Sequence, residues 1–199
     1  MNTPPSNAGS GQGEAGEVSA REQVLTSLSL VYYPNPILRA LCQPVELFDS
    51  TLNDLVQEMF ALMTLREGIG LAGPQVSIDQ RVLVCAIQGR QLCLTNPEII
   101  EADTPAEAIE GCLSLPNIQV TVRRPERIQV SGYDTDGRKV RLGATGLWAR
   151  VIQHELDHLN GVLICDRTHL SGESCEQCPL ALPAVLVEER KHKSRSPRA

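Results

Sequence analysis

The segment Gln153-His154-Glu155-Leu156-Asp157-His158-Leu159-Asn160-Gly161 decides both the fold and the chemistry of this chain. Apolar residues at helical spacing predict a helix over residues 145–160, and their spread around its circumference predicts that it is buried. Histidines four positions apart lie one turn above the other, so both imidazoles can reach one cation. Glu155 follows the first histidine and can accept a proton from water on that cation without being a ligand.

The third ligand of such a cation must come from elsewhere in the chain. A longer His-Glu-x-x-His-x-x-Gly-x-x-His pattern would require histidine at position 164, which is Ile164. The residues leave a cysteine, a distant glutamate and His169 as candidates, and Cys112 is the best of them. It lies in Glu110-Gly-Cys-Leu-Ser-Leu-Pro116, whose glycine and proline predict a loop rather than a strand interior. Two histidines and one thiolate leave a position open for water, which is typical of a catalytic site.

A glycine-rich stretch, Gly68-Ile-Gly-Leu-Ala-Gly-Pro-Gln75, forms the second candidate segment. It follows the clearest amphipathic helix, predicted over residues 51–66 with Ser50 or Thr51 as its cap. No Gly-Lys-Ser/Thr follows the glycines, which excludes a P-loop. The amide of Gln75 can instead donate a hydrogen bond to a bound molecule.

Strand patterns occupy most of the chain between these two helices. The predicted strands are Arg81–Ile87, Gln91–Thr95, Glu98–Glu101, Ile118–Val122, Ile128–Tyr133 and Lys139–Leu142. The last two flank the turn Asp134-Thr-Asp-Gly137, which predicts a hairpin.

Length and composition limit the classes of protein to which this chain can belong. The 199 residues fit one domain, and 42% hydrophobic with 21% charged residues is typical of a soluble globular chain. A formal net charge of −6 argues against a protein that grips nucleic acid with its whole surface. No run approaches the roughly 18–20 apolar residues of a membrane span, and no secretory signal is visible. We therefore expect a cytoplasmic protein.

Seven cysteines without an export signal predict thiols or metal ligands rather than a disulfide framework. Cys42, Cys85, Cys93 and Cys165 lie in apolar surroundings and are expected to pack in the core.

The three segments together resemble the peptide deformylase family. GIGLAGPQ (68–75) is similar to its first motif, EGCLSLP (110–116) to its second and QHELDHLNG (153–161) to its third, in the family's order. The resemblance implies an α+β fold in which antiparallel β-sheets pack around a central buried helix carrying the HExxH motif.

The resemblance, with the composition of the ends, divides the chain into three parts. Residues 25–167 would form the peptide deformylase catalytic domain. Residues 1–24 are rich in Gly, Ser and Pro and are expected to be a disordered extension. Residues 168–199 would be a partly disordered tail, in which the Cys175-Glu-Gln-Cys178 pair is expected to hold free thiols.

For the metal, the resemblance implies that Cys112, His154 and His158 bind one divalent ion. In the family this is typically Fe²⁺, with Zn²⁺ or Ni²⁺ as replacements. Glu155 would be the general base and then the general acid as metal-bound water or hydroxide attacks the formyl group.

For the substrate, the resemblance implies five further contacts. The side-chain amide of Gln75 and the backbone N–H of Leu113 would face the developing oxyanion. Gly70 would pair with the substrate backbone, and Ile69 and Leu147 would line the methionine pocket.

The implied activity is removal of the formyl group from the N-terminal formyl-methionine of nascent polypeptides, a hydrolase step in protein biosynthesis. The expected partners are N-formyl-methionyl nascent peptides and the ribosome near its exit tunnel, with no membrane and no specific nucleic acid. The basic run Arg190–Arg198 is a candidate ribosome contact.

Two alternatives remain open from the residues. One is a zinc peptidase whose third ligand is a distant glutamate, and the other is a non-catalytic metal-binding module. One departure from the family is Gly73, where alanine is usual, and it predicts a more flexible loop that holds Gln75 less well.

Overall fold

The computed structural model describes residues 26–170, so the predicted extension over 1–24 and residues 171–199 of the predicted tail lie outside the described part. The helices are α1 (Ser50–Leu65), α2 (Gly146–Leu159) and α3 (Ile164–Leu170), with 3₁₀ turns at Pro36–Arg39 and Gly73–Val76. The strands are β1 (Gly70–Ala72), β2 (Val82–Ile87), β3 (Arg90–Ala102), β4 (Pro105–Cys112), β5 (Leu115–Pro125), β6 (Arg127–Tyr133) and β7 (Lys139–Thr145). Within residues 26–170, every helix is too short or too polar to cross a membrane.

The strands form two antiparallel sheets. The larger has the order β1-β2-β3-β6-β7, and the smaller consists of β4 and β5. The predicted hairpin around residues 134–137 is the β6–β7 connection, in which Tyr133 pairs with Lys139. These observations confirm an α+β protein with antiparallel sheets.

Helix α1 forms where the apolar periodicity predicted it, but its cap is different. The carboxylate of Asp49 accepts a hydrogen bond from the backbone N–H of Leu52 at 3.2 Å. An N-cap side chain reaches the amide two or three positions ahead from an extended backbone, which Asp49 adopts. The prediction of Ser50 or Thr51 as the cap is therefore wrong by one or two residues.

Strand β2 separates two apolar cores. Leu83, Cys85 and Ile87 pack in the cluster that contains α2 side chains, whereas Val82 and Val84 pack in the cluster that contains α1 side chains. Alternation along a strand sends successive side chains to opposite faces, so β2 is buried on both. The larger sheet thus lies between α1 and α2.

Helix α2 lies where the two sheets meet. It contacts β1, β2, β6 and β7 of the larger sheet and β5 of the smaller one. A third apolar cluster joins β5 to the segment after α2; its buried members are Leu38, Leu115, Val122, Leu163, Ile164 and Cys165. This arrangement brings the HExxH helix, the edge strand β1 and the β4–β5 turn together.

Three strands differ from the predicted pattern. Strand β1 lies inside the stretch 68–75 that was expected to be a loop. Strand β3 runs through Asn96-Pro97, where two strands were expected, with an irregular register between Thr95 and Glu98. Strand β4 was not predicted, because its side chains are mostly exposed and show no apolar alternation. Cys112 is its last residue, so it lies at a strand end directly before a turn, and not in a strand interior.

Some of the described cysteines are free thiols and one is disulfide-bonded. Cys42 and Cys85 are buried free thiols, as expected, and Cys93 and Cys112 are free and partly buried. Cys165 is buried but disulfide-bonded, so the expectation of a thiol is wrong at this position.

Candidate metal centre

The side chains of Cys112, His154 and His158 converge where β4 ends against α2. Their ligand atoms all lie within 4.8 Å of one another. The Sγ atom of Cys112 is 3.2 Å from Nε2 of His158, and the two imidazole centroids are 5.1 Å apart. Among residues 26–167, whose side chains the structure describes, this is the one group of three or more such side chains close enough to share an ion. The strand supplies the sulfur, and one turn of helix supplies both nitrogens.

The donor set and its surroundings fit a divalent metal ion. One thiolate and two imidazoles are ligands that suit Zn²⁺ and Fe²⁺, and three protein ligands leave a position open. Nδ1 of His154 is 3.0 Å from a carboxylate oxygen of Glu110, which leaves Nε2 to face the cluster. Oε2 of Glu155 is buried without a hydrogen-bond partner among the described residues. An orphaned carboxylate oxygen is costly unless a cation or its water is nearby.

Burial and mutual charge tune the acid–base groups of the cluster. Burial raises the pKa of the Glu155 carboxyl to about 7. Burial opposes ionisation of the Cys112 thiol, but the His158 and His154 imidazoles outweigh it and lower its pKa to about 5. The site therefore places a thiolate beside a carboxyl that can exchange a proton near neutral pH.

Gln75 is held with its amide nitrogen towards the cluster. Its side-chain carbonyl accepts a hydrogen bond from the backbone N–H of Ala72 at 2.8 Å. Its Nε2 donates to Ser114 Oγ at 3.2 Å and lies 3.8 Å from Cys112 Sγ. Because the carbonyl end is occupied by β1, the N–H end is the one available to a bound molecule.

Gly73 tightens this region instead of loosening it. A Cβ at position 73 would lie 2.6 Å from the Gln80 carbonyl oxygen and 2.8 Å from that of Ile78. Only glycine allows the backbone segments to approach this closely. The expectation that Gln75 is less well held is therefore wrong, since its side chain is 1% exposed and hydrogen-bonded at both ends.

A cavity of about 430 Å³ opens beside the cluster. Of the predicted site residues, Ile69, Gly70, Gln75, Cys112, Leu113, His154 and Glu155 line it. Leu147 does not line this cavity, because it lies in the first turn of α2 with 52% of its surface exposed. Leu113 occupies the turn between β4 and β5, directly after Cys112.

Gly70 lets β1 pass closely against helix α2. A Cβ there would lie 2.3 Å from Oε1 of Glu155 and 2.7 Å from Cγ1 of Val151. Strand β1 is also an edge strand, paired with β2 on one side only within the described residues. An extended peptide in the cavity can therefore add to this edge and bring its end to Glu155.

Glu110 is the hydrogen-bond partner of His154, a role that its sequence motif does not indicate. Its two oxygens also accept hydrogen bonds from Arg124 at 2.7 and 2.9 Å and from Arg150 at 2.7 Å. A carboxylate on the outer nitrogen of a ligating histidine fixes the tautomer and the ring orientation. The sequence signal for this role was a charged residue two positions before the cysteine. Its hydrogen-bond partners could not be predicted, because they are distant in sequence.

Comparisons with known proteins agree with this geometry. The family model for polypeptide deformylase matches residues 27–173. The peptide deformylase of Hydrogenovibrio crunogenus is 44% identical over 151 residues, which cover 74% of this chain and 88% of that protein.

Solved structures give the same result. The Thermotoga maritima peptide deformylase has 42% identity and a TM-score of 0.69, covering 70% of this chain and 96% of its own. A Synechococcus elongatus peptide deformylase in complex with actinonin has 35% identity and a TM-score of 0.71, covering 92% and 93%. This chain belongs to the peptide deformylase family.

Proposed function

We propose that this chain removes the formyl group from the N-terminal formyl-methionine of nascent polypeptides. The observation that carries the proposal is the meeting of Cys112, His154 and His158 beside the buried carboxyl of Glu155, at the end of a cavity that an extended peptide can enter. Membership of the peptide deformylase family supports the same reaction.

A divalent cation held by Cys112, His154 and His158 would supply Lewis acidity and lower the pKa of a water molecule. Fe²⁺ is the proposed native ion, and Zn²⁺ or Ni²⁺ also suits one sulfur with two nitrogens. Glu110 holds the outer nitrogen of His154, so Nε2 would be the atom of this imidazole that binds the ion.

Glu155 moves the proton. Its carboxylate takes a proton from the attacking water, and its carboxylic acid returns that proton to the departing amine. Burial raises the pKa of this carboxyl to about 7, which suits a group that must act in both forms at neutral pH. Its position against Gly70 brings it to the end of the edge strand, where the substrate terminus would lie.

Gln75 and Leu113 would stabilise the charge that develops on the formyl oxygen. The Gln75 amide is oriented before substrate arrives, because Ala72 and Ser114 hold its two ends. The Leu113 backbone N–H lies in the turn after Cys112 and lines the same cavity. Donors fixed in advance need no reorganisation when the oxyanion forms.

Substrate binding would use the edge of β1. Gly70 would pair with the peptide backbone, and Ile69 at the cavity wall would contact the methionine side chain. Leu147 would join that contact only when the bound methionine reaches the first turn of α2.

At larger scale, residues 25–167 form the catalytic domain in this proposal, with α2 as the central helix between the two sheets. The match of the family model over residues 27–173 supports these bounds. We also propose that the enzyme works in the cytoplasm and meets its substrate at the ribosome.

The test compares formyl-Met-Ala-Ser with acetyl-Met-Ala-Ser, using protein purified anaerobically with Fe²⁺. We expect formate and a new free amine from the formyl peptide, and far slower release of acetate. Cleavage between methionine and alanine without formate would favour the peptidase alternative. No reaction by folded, metal-loaded protein would favour the binding module.

A further inference from the structure

A chain of buried charges leads from the metal site through the protein to helix α3. It begins at Glu110, the partner of His154, and continues to the guanidinium of Arg124. Nη1 of Arg124 then donates to Asp157 Oδ2 at 2.7 Å. Asp157 in turn accepts two hydrogen bonds from Arg167, the first of them from Nε at 2.8 Å. The signs of these four charges alternate, so each is compensated by its neighbours.

The middle of this chain is geometrically rigid. One planar guanidinium, that of Arg124, binds both oxygens of Glu110 and one oxygen of Asp157. A planar group with fixed N–H directions transmits the orientation of one carboxylate to the other. Arg124 is only 3% exposed, so water does not compete for these bonds.

Arg167 fixes the far end. It occupies both oxygens of Asp157, whereas Arg124 occupies one. The Asp157 carboxylate is therefore oriented mainly by a residue that belongs to α3.

We propose that Arg167 is a positioning residue for the metal ligand His154 and acts through Asp157, Arg124 and Glu110. Helix α3 thereby helps to hold the metal site through residues that do not line the substrate cavity. The inference rests on the proposed metal site, but it concerns the affinity and geometry of that site rather than the reaction.

Of these four charged residues, Arg167 is the one whose substitution should disturb the fold least. A second cavity of about 250 Å³ lies against Arg124, Asp157 and Arg167, so a shorter side chain at position 167 leaves the apolar core intact. Its side chain is 14% exposed, compared with 3% for Arg124. Loss of Arg124 would instead leave two buried carboxylates without their shared partner.

The experiment compares the wild type with Arg167→Gln and Arg167→Lys in the full chain. The matched control is Arg141→Gln, which breaks an exposed pair with Glu101. The readouts are the Co²⁺ dissociation constant from chelator competition, the absorption spectrum of the Co²⁺-loaded protein, kcat and KM for formyl-Met-Ala-Ser, and thermal unfolding without metal.

For Arg167→Gln we expect roughly tenfold weaker Co²⁺ binding, since outer partners of metal ligands typically contribute a factor of 10 to 100. The Co²⁺ absorption bands should shift, and kcat should fall with KM unchanged. Lysine should restore part of the affinity, because it keeps the charge but not the paired geometry. Arg141→Gln should match the wild type.

Wild-type Co²⁺ affinity and spectrum in Arg167→Gln would overturn the proposal, whatever happens to its melting temperature. If Arg167→Gln does not fold, the double variant Asp157→Asn/Arg167→Gln, which removes both charges, is measured instead. The same Co²⁺ results would then support or overturn the proposal. Wild-type protein that binds Co²⁺ but releases no formate would contradict the proposed function. The Co²⁺ affinity and spectrum of the variants would still decide the role of Arg167.

Discussion

At the scale of single residues, Gly70 brings strand β1 directly against Glu155, the proposed general base. The backbone at position 70 leaves no room for a side chain between β1 and α2. The same contact fixes where the end of an added peptide strand would meet the carboxyl. Catalysis should therefore be more sensitive to this position than stability is.

We expect Gly70→Ala to lower kcat/KM by about 100-fold, because a displacement of the order of 1 Å in a catalytic geometry can cost that much. The new Cβ would be placed 2.3 Å from Oε1 of Glu155 and must push the strand or the carboxyl aside. Steady-state formate release checks this expectation. Gly143→Ala is the control, because its Cβ would meet only the Gln129 side chain, at 3.1 Å. Equal activity of the two variants would contradict the expectation.

The candidate ligands and the candidate base could be proposed from sequence because their spacing is local or their motif is specific. The partners that hold them could not. Glu110 reaches His154 across 44 residues and Arg124 reaches Asp157 across 33, and neither spacing leaves a periodic signal. Ser114 is a similar case, because its bond to Gln75 depends on how β4 and β5 turn against β1.

At the scale of elements, the place of each cysteine in the fold determines whether its thiol can react. Cys85 is in the middle of β2, buried between two cores, and burial raises its pKa well above the usual value. Burial likewise raises the pKa of Cys42 to about 12. Cys112 ends β4 and lines the cavity.

We therefore expect iodoacetamide at pH 8 to label Cys112 in metal-free protein and to leave Cys42 and Cys85 unmodified until the chain unfolds. Loading with Zn²⁺ should protect Cys112, because the sulfur becomes a ligand. Peptide mass mapping identifies the labelled positions, and Cys112→Ser serves as the control. Labelling of Cys112 at the same rate with and without metal would contradict ligation by this residue.

Elements with a buried face were predictable, and exposed or very short ones were not. Helices α1 and α2 and strands β2 and β6 have such a face, whereas β7 was predicted from the turn at residues 134–137 that joins it to β6. Strand β4 escaped prediction because a two-stranded sheet leaves most of its side chains in solvent. Strand β1 is three residues long and rich in glycine, so only its pairing with β2 defines it.

At the scale of the whole molecule, a metal ion at this site would join the two sheets. Cys112 belongs to the smaller sheet, whereas His154 and His158 belong to a helix packed on the larger one. Because the ion would bind only the folded protein, it would stabilise the packing of the two sheets by mass action.

We expect removal of the metal to lower the melting temperature by about 5–10 °C. At a metal concentration of about 100 times Kd the stabilisation is about 2.7 kcal/mol, and each kcal/mol shifts a domain of this size by about 2–4 °C. Differential scanning calorimetry with and without a chelator measures the difference. Cys112→Ser should melt at nearly the same temperature in both conditions, and an unchanged wild-type melting temperature would contradict ligation by the folded protein.

The most direct test of the proposed chemistry is formate release from formyl-Met-Ala-Ser by Fe²⁺-loaded Glu155→Gln beside the wild type. Glutamine keeps the size and the hydrogen-bonding capacity of the side chain but cannot carry the proton. We predict that the variant retains its metal and loses about 10²- to 10⁴-fold in kcat, the usual contribution of a general acid–base group. Activity within a few-fold of the wild type, with the same metal content, would contradict the assignment of Glu155 as the proton carrier.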